Sequence, residues 1–138
     1  MSTDSWVQAE LQDGALKIVL NRPKINAFNS LMINQMQAAF KQAERDAQVR
    51  CVLLAAKGSS FSAGQDLTEM RSGSETSFRA HLLRTYNPLI LQIRRLEKPV
   101  LAAIQGAVSG AALGIVLACD LRIAAQDARF LVGFSGIG

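Results

Sequence analysis

Twice in this sequence a β-prone apolar run leads into a glycine-containing turn of small residues that heads towards a helix. Cys51 to Ala56 comes before Ser62-Ala63-Gly64-Gln65-Asp66-Leu67, and Val100 to Ile104 comes before Gly106-Ala107-Val108-Ser109-Gly110-Ala111. Continuous apolar runs of this kind read as strands buried on both faces, which need helices to cover them. That limits the chain to an α/β layer arrangement.

The remaining segments fit this frame. Val7 to Leu11 and Leu16 to Leu20 flank Gln12-Asp13-Gly14-Ala15, where Asp-Gly signals an antiparallel hairpin. Asn21-Arg22-Pro23 breaks the second strand. Asn29 or Ser30 can cap a helix whose apolar face runs Ile33, Met36, Phe40, Ala43 and Ala47, with Asn34, Gln37, Lys41, Glu44 and Arg45 opposite. Residues 68 to 77 are polar and read as a loop or frayed helix. Phe78, Leu82, Tyr86, Leu89, Ile93 and Leu96 mark a helix bent or interrupted at Pro88. Gly110 to Ala118 reads as a helix and Leu121 to Ala125 as a further strand. The expected order is β-β-α-β-loop-α-β-α-β, within one domain.

Composition excludes several classes. Apolar residues make up 49% of the 138 and charged residues 19%, which is globular. The net charge of +4 comes from scattered basic residues with no stripe interleaved with aromatics, so no nucleic-acid partner is expected. Pro99 to Cys119 carries no charge and would just span a bilayer. It divides, however, into a β-rich piece, a glycine turn and an Ala-rich helical piece, and no membrane partner is expected. Cys51 and Cys119 lie in apolar runs, as free thiols of a reducing compartment do. Met1 to Asp13 lacks the basic-then-apolar pattern of an export signal, so a cytoplasmic location is expected.

The two turns are where chemistry is expected. Small residues let a ligand carbonyl approach the backbone, and N–H groups at a helix start have no intrahelical partner and carry the positive end of the dipole. Two such groups aimed at one oxygen form an oxyanion hole. Each turn taken alone is also accounted for by tight packing of a strand on a helix. Neither matches a dinucleotide or P-loop fingerprint, and no G-x-S-x-G elbow exists. His81, the only histidine, is expected to be structural or exposed rather than catalytic, and Asp66 and Asp120 to cap backbone N–H groups. No metal site is expected.

Taken together, five stretches are similar to the crotonase (enoyl-CoA hydratase/isomerase) family: Asn21 to Ala27, Phe61 to Leu67, Lys98-Pro99-Val100, Gly106 to Gly114 and Ala118 to Ala124. They stand in the family's order. The resemblance implies a spiral of ββα turns, with residues 1–138 as the N-terminal part of a single domain cut before its C-terminal helical part. It also implies an acyl-CoA thioester as substrate, no further cofactor, and a trimer or hexamer of the full-length chain. By motif position the carbonyl would sit between the backbone N–H groups of Gln65 and Ala111. Lys24, Ile25, Ala27, Ala63, Asp66 and Leu67 would line the CoA and adenine side, and Gly110, Gly114 and Phe134 would also bind the substrate.

The departures bear on the reaction. Where hydratases of the family carry two catalytic glutamates, this chain has Gly114 and Phe134. Without them nothing moves the protons of hydration. Ala128-Arg129-Phe130 through Phe134-Ser135-Gly136-Ile137-Gly138, with Ala63-Gly64-Gln65-Asp66-Leu67, looks most like the ring-epoxide acyl-CoA isomerases, whose aspartate follows an Ile-Gly pair. The expected reaction is isomerisation of an enoyl- or ring-epoxide acyl-CoA. The alternatives are a non-catalytic acyl-CoA-binding or assembly fragment, behind it a hydratase, and last a small membrane protein.

Overall fold

A computed structural model describes residues 4–72 and 77–136. Strands β1 (Val7–Gln12) and β2 (Ala15–Leu20) form the hairpin, with Asp13 and Gly14 at φ 52° and 85°. These are the left-handed values a tight two-residue turn requires. Helix α1 (Ser30–Arg45) begins at Asn29, whose side chain accepts from the Met32 N–H at 2.9 Å. Strand β3 (Cys51–Ala56) pairs parallel with β2 and with β4 (Val100–Ile104), and β4 pairs parallel with β6 (Leu121–Ala124). The larger sheet therefore runs β1-β2-β3-β4-β6.

A second sheet crosses the connections. Strand β5 (Ala107–Ser109) pairs parallel with β7 (Arg129–Leu131), and single bridges join Ser62 to Val108 and Phe28 to Gln65. Each circuit of the chain thus lays one strand in the larger sheet, one short rung in the second, and then a helix. This is the ββα spiral that the resemblance implies. Helices α2 (Leu67–Ser72), α3 (Phe78–Arg84), α4 (Tyr86–Arg95) and α5 (Ala111–Ala118) complete it. The core lies between the sheet and α1, α4 and α5, with Leu16, Ile18, Leu54, Phe40, Met36, Leu89 and Ile115 almost wholly buried.

Several expectations need correction. Ala47 is exposed and lies beyond α1, which ends at Arg45. The interruption expected at Pro88 falls three residues earlier, at Thr85, with φ −111° and ψ −81°. A proline ring clashes with the carbonyl four residues before it, here Arg84, while its missing N–H costs nothing in a first turn. Gln37 Nε2 donates to the Arg84 and Thr85 carbonyls at 3.4 and 2.9 Å, and the Thr85 carbonyl also accepts the Leu89 N–H at 3.4 Å. Of the polar stretch 68–77, residues to 72 continue α2, and 73–76 lie outside the described residues. Helix α5 starts at Ala111 rather than Gly110, and β5 and β7 were not anticipated, being three residues each.

Candidate active site

The first turn is stapled to the loop before α1. Asn26 is 2% exposed at φ 51°; its side chain accepts from the Arg22 N–H at 2.7 Å and donates to the Lys57 and Ser60 carbonyls at 2.8 and 3.1 Å. Ser62 Oγ donates to the Asn26 carbonyl at 2.7 Å and accepts from the Gly64 N–H at 3.0 Å, while the Ala63 N–H donates to the Ile25 carbonyl at 3.0 Å. Every polar atom named here has a partner, so the turn is held by its own hydrogen bonds. Ile25 meets Ala63 directly, and Arg22 joins Ala27 to Asp66, while Lys24 and Leu67 adjoin them in sequence. Lys24 and Ile25 stand exposed at the loop tip, Leu67 is exposed at the start of α2, and Ala27, Ala63 and Asp66 are half-buried.

Asp66 faces Arg22 across a 2.8 Å ion pair, and Arg22 also donates to the Ala27 carbonyl at 2.7 Å. Burial pushes the Asp66 carboxyl up. The Arg22 hydrogen bond and charge, with backbone N–H groups from Thr68 and Glu69, outweigh it and hold the pKa below the ordinary value. The capping role expected of Asp66 is present, since Oδ1 accepts from the Thr68 N–H at 2.9 Å. Asp120 likewise accepts from the Val100 N–H at 2.8 Å.

The second turn lies directly against the first. Ser62 and Ser109 exchange bonds across the Ser62–Val108 bridge, the Ser62 N–H to the Ala107 carbonyl at 3.2 Å and the Ser109 N–H to the Ser62 carbonyl at 3.1 Å. A β-carbon on Gly64 would lie 3.1 Å from the Ala111 nitrogen. Gly110, at φ 57°, turns the chain into α5 without a side-chain cap, so Ala111 is the first helical residue and its N–H has no intrahelical acceptor.

Phe28 and Asp66 take the bonds of the neighbouring bridge: the Phe28 N–H donates to the Gly64 carbonyl at 2.7 Å and the Asp66 N–H to the Phe28 carbonyl at 2.8 Å. In a parallel bridge the residue between those partners turns its own N–H to the opposite side. Among the described residues, neither the Gln65 nor the Ala111 N–H donates to a protein acceptor. Phe134 brings its ring edge alongside Gly110, and Gly114 stands one helical turn above Ala111, exposed, with nothing within 4 Å of where its β-carbon would be.

Three residues not anticipated at the site converge on the Gln65 side chain. Its Oε1 accepts from Tyr86 Oη at 2.6 Å and contacts His81 Nε2 at 3.0 Å, and its Nε2 donates to Glu69 Oε2 at 3.3 Å. A carbonyl oxygen only accepts, so His81 carries its proton on Nε2. Burial, and then the charge of Glu69, push the Tyr86 pKa far up, which keeps the phenol protonated and donating. Apolar spacing marks Tyr86 as a core residue but carries no sign of this bond. His81 is 7% exposed, so the expectation of a structural or exposed histidine narrows to a buried one.

Among the described residues no group of three or more His, Cys, Asp or Glu is placed to hold a metal, and no helix is long and apolar enough to cross a membrane.

The family pattern described as Enoyl-CoA hydratase/isomerase matches residues 10–138, which takes in both turns. The chain belongs to the enoyl-CoA hydratase/isomerase family. Among the members it resembles, the 1,2-epoxyphenylacetyl-CoA isomerase of Escherichia coli is 36% identical over 137 residues, covering 96% of this chain and 52% of that protein. The 4-chlorobenzoyl coenzyme A dehalogenase-2 of an Arthrobacter species is 36% identical over 141 residues, covering 99% and 51%. The crystal structure of an enoyl-CoA hydratase from Mycobacterium smegmatis superimposes with a TM-score of 0.91 at 34% identity, covering 98% and 53%. The chain thus spans about half the length of the enoyl-CoA hydratase/isomerase relatives it matches. Three reaction names attach to relatives of nearly equal similarity, so likeness over this half does not choose between them.

Proposed function

We propose that the two turns receive an acyl-CoA thioester and hold its carbonyl oxygen between the N–H groups of Gln65 and Ala111. The observation that carries this reading is their arrangement: two N–H groups without protein acceptors among the described residues, in abutting turns, one of them at an uncapped helix start. Donors fixed in this way stabilise negative charge as it develops on the oxygen, without reorganising during the reaction. In this reading Lys24, Ile25, Ala27, Ala63, Asp66 and Leu67 line the CoA side, and Gly110, Gly114 and Phe134 the acyl side.

The proposed reaction is isomerisation of an enoyl- or ring-epoxide acyl-CoA. A base removes a proton next to the carbonyl, the electron pair moves onto the oxygen as an enolate held by the two N–H groups, and a proton returns at another carbon. Neither Gly114 nor Phe134 can move a proton, which favours this route over hydration. The base would then come from sequence past Gly138. A chain supplying no base would still bind the thioester, which is the second reading. Cytoplasmic location and assembly as a trimer or hexamer belong to the same proposal.

Calorimetric titration with butyryl-CoA and with free CoA, then turnover assays, tests it. Binding of both, tighter for the thioester, is expected. A version extended past Gly138 to the relatives' length should isomerise an enoyl-CoA. Hydration as its only reaction would refute the isomerase assignment, and no binding of either ligand would refute the site.

A further inference from the structure

We infer that the side chain of Gln65 is a positioning device for its own backbone N–H, locked by Tyr86, His81 and Glu69 from three different helices. The inference rests on the acyl-CoA reading of the site and extends it to residues outside the two turns.

A glutamine amide can accept two hydrogen bonds and donate two. All four are used in the fold. Oε1 accepts from Tyr86 and His81 at 2.6 and 3.0 Å, and Nε2 donates to the Asp66 carbonyl and to Glu69 at 3.2 and 3.3 Å. The orientation of the amide is fixed chemically, because Glu69 and the Asp66 carbonyl can only accept. The side chain therefore has no capacity left for a ligand, whereas the N–H of the same residue does.

The partners are themselves anchored. Both carboxylate oxygens of Glu69 accept from the Ser30 N–H at 3.0 Å, at the positive end of α1. Tyr86 is 7% exposed, 6.4 Å from the Phe28 ring and edge-on to His81 at 5.9 Å. Phe28 in turn bridges to Gln65 through the backbone. The peptide bearing the Gln65 N–H is thus gripped from both sides, by the bridge to Phe28 and by its own side chain. A donor held by a fully satisfied network keeps its direction, which is what stabilisation of developing charge requires. The partners act through Gln65 and touch no substrate.

The test uses butyryl-CoA labelled with 13C at the thioester carbonyl, bound to the wild-type chain and to Tyr86→Phe and Gln65→Met. Tyr86→Phe keeps the buried ring, and Gln65→Met keeps chain length without the amide. Isotope-edited infrared difference spectra read the polarisation of that one carbonyl, and affinity for free CoA, which has no acyl carbonyl, reads the integrity of the rest of the site. The wild type should shift the band to lower wavenumber. Both variants should lose most of that shift and bind butyryl-CoA roughly fivefold more weakly, the worth of about one neutral hydrogen bond, with free-CoA affinity unchanged. A wild-type shift in both variants overturns the inference and leaves the acyl-CoA reading standing. Joint loss of the shift and of free-CoA affinity also overturns it, since that is general loosening. Wild-type protein that binds neither ligand, or binds butyryl-CoA without any band shift, overturns the underlying reading and the inference with it.

Discussion

Gly64 and Ala111 approach so closely that a β-carbon on Gly64 would lie 3.1 Å from the Ala111 nitrogen and 2.5 Å from the Ser109 carbonyl oxygen. Gly64 also sits at φ 85°, where a side chain is strained whatever the space. Gly64→Ala should therefore destabilise the fold by roughly 2–4 kcal/mol, combining backbone strain with a clash against backbone that cannot rotate away. The midpoint of urea unfolding reads this directly. A change below about 0.5 kcal/mol, the size of an ordinary surface substitution, would mean the turns are not in contact.

Gly114 makes the opposite case. It lies inside α5 at ordinary helical backbone, with nothing within 4 Å of the added carbon. Glycine in a helix interior costs roughly 0.5–1 kcal/mol relative to alanine. Gly114→Ala should raise stability by about that amount in the same unfolding measurement, and destabilisation would contradict the open space above the helix.

Asn26 should be irreplaceable in the loop. Its amide serves the Arg22 N–H and the Lys57 and Ser60 carbonyls, and its φ of 51° suits asparagine better than most side chains. Asn26→Ala leaves these groups without their partner, and should lower the unfolding free energy by roughly 3 kcal/mol. Asn26→Asp should also be destabilising, because a carboxylate cannot donate to the two carbonyls.

Asp66 supplies a pH test with a definite sign. Its carboxyl is held below the ordinary value of 3.8 in the fold, so the unfolded chain takes up the proton first as pH falls. The stability it contributes is complete above the unfolded value and lost as pH drops through the folded one. Asp66→Asn should be less stable than wild type at neutral pH by about 1 kcal/mol or less, as expected for a partly exposed pair. The gap should close as pH falls from the ordinary value of 3.8 through the lower folded one.

Local chemistry made much of the fold legible. Asp13-Gly14 announced the hairpin, Asn29 the start of α1, and the apolar runs at 51–56 and 100–104 the inner strands. Short or indirect signals did not survive. Strands β5 and β7 are three residues each, too brief for an alternating pattern. Pro88 announced an interruption, but its displacement to Thr85 depends on which carbonyl the ring meets and on Gln37 being there to donate to the carbonyls at the break. The two turns were visible as motifs, whereas the grip on Gln65 was not. His81 and Tyr86 reach it from 16 and 21 residues further along, through contacts that only the tertiary fold creates.

The most direct measurement of the central claim is a 15N NMR titration that follows the backbone amides of Gln65 and Ala111. On adding butyryl-CoA, both signals should move downfield together as their N–H groups acquire an acceptor, and free CoA should leave both where they are. Thioester binding that shifts neither signal, or only one, would contradict a carbonyl held between the two turns.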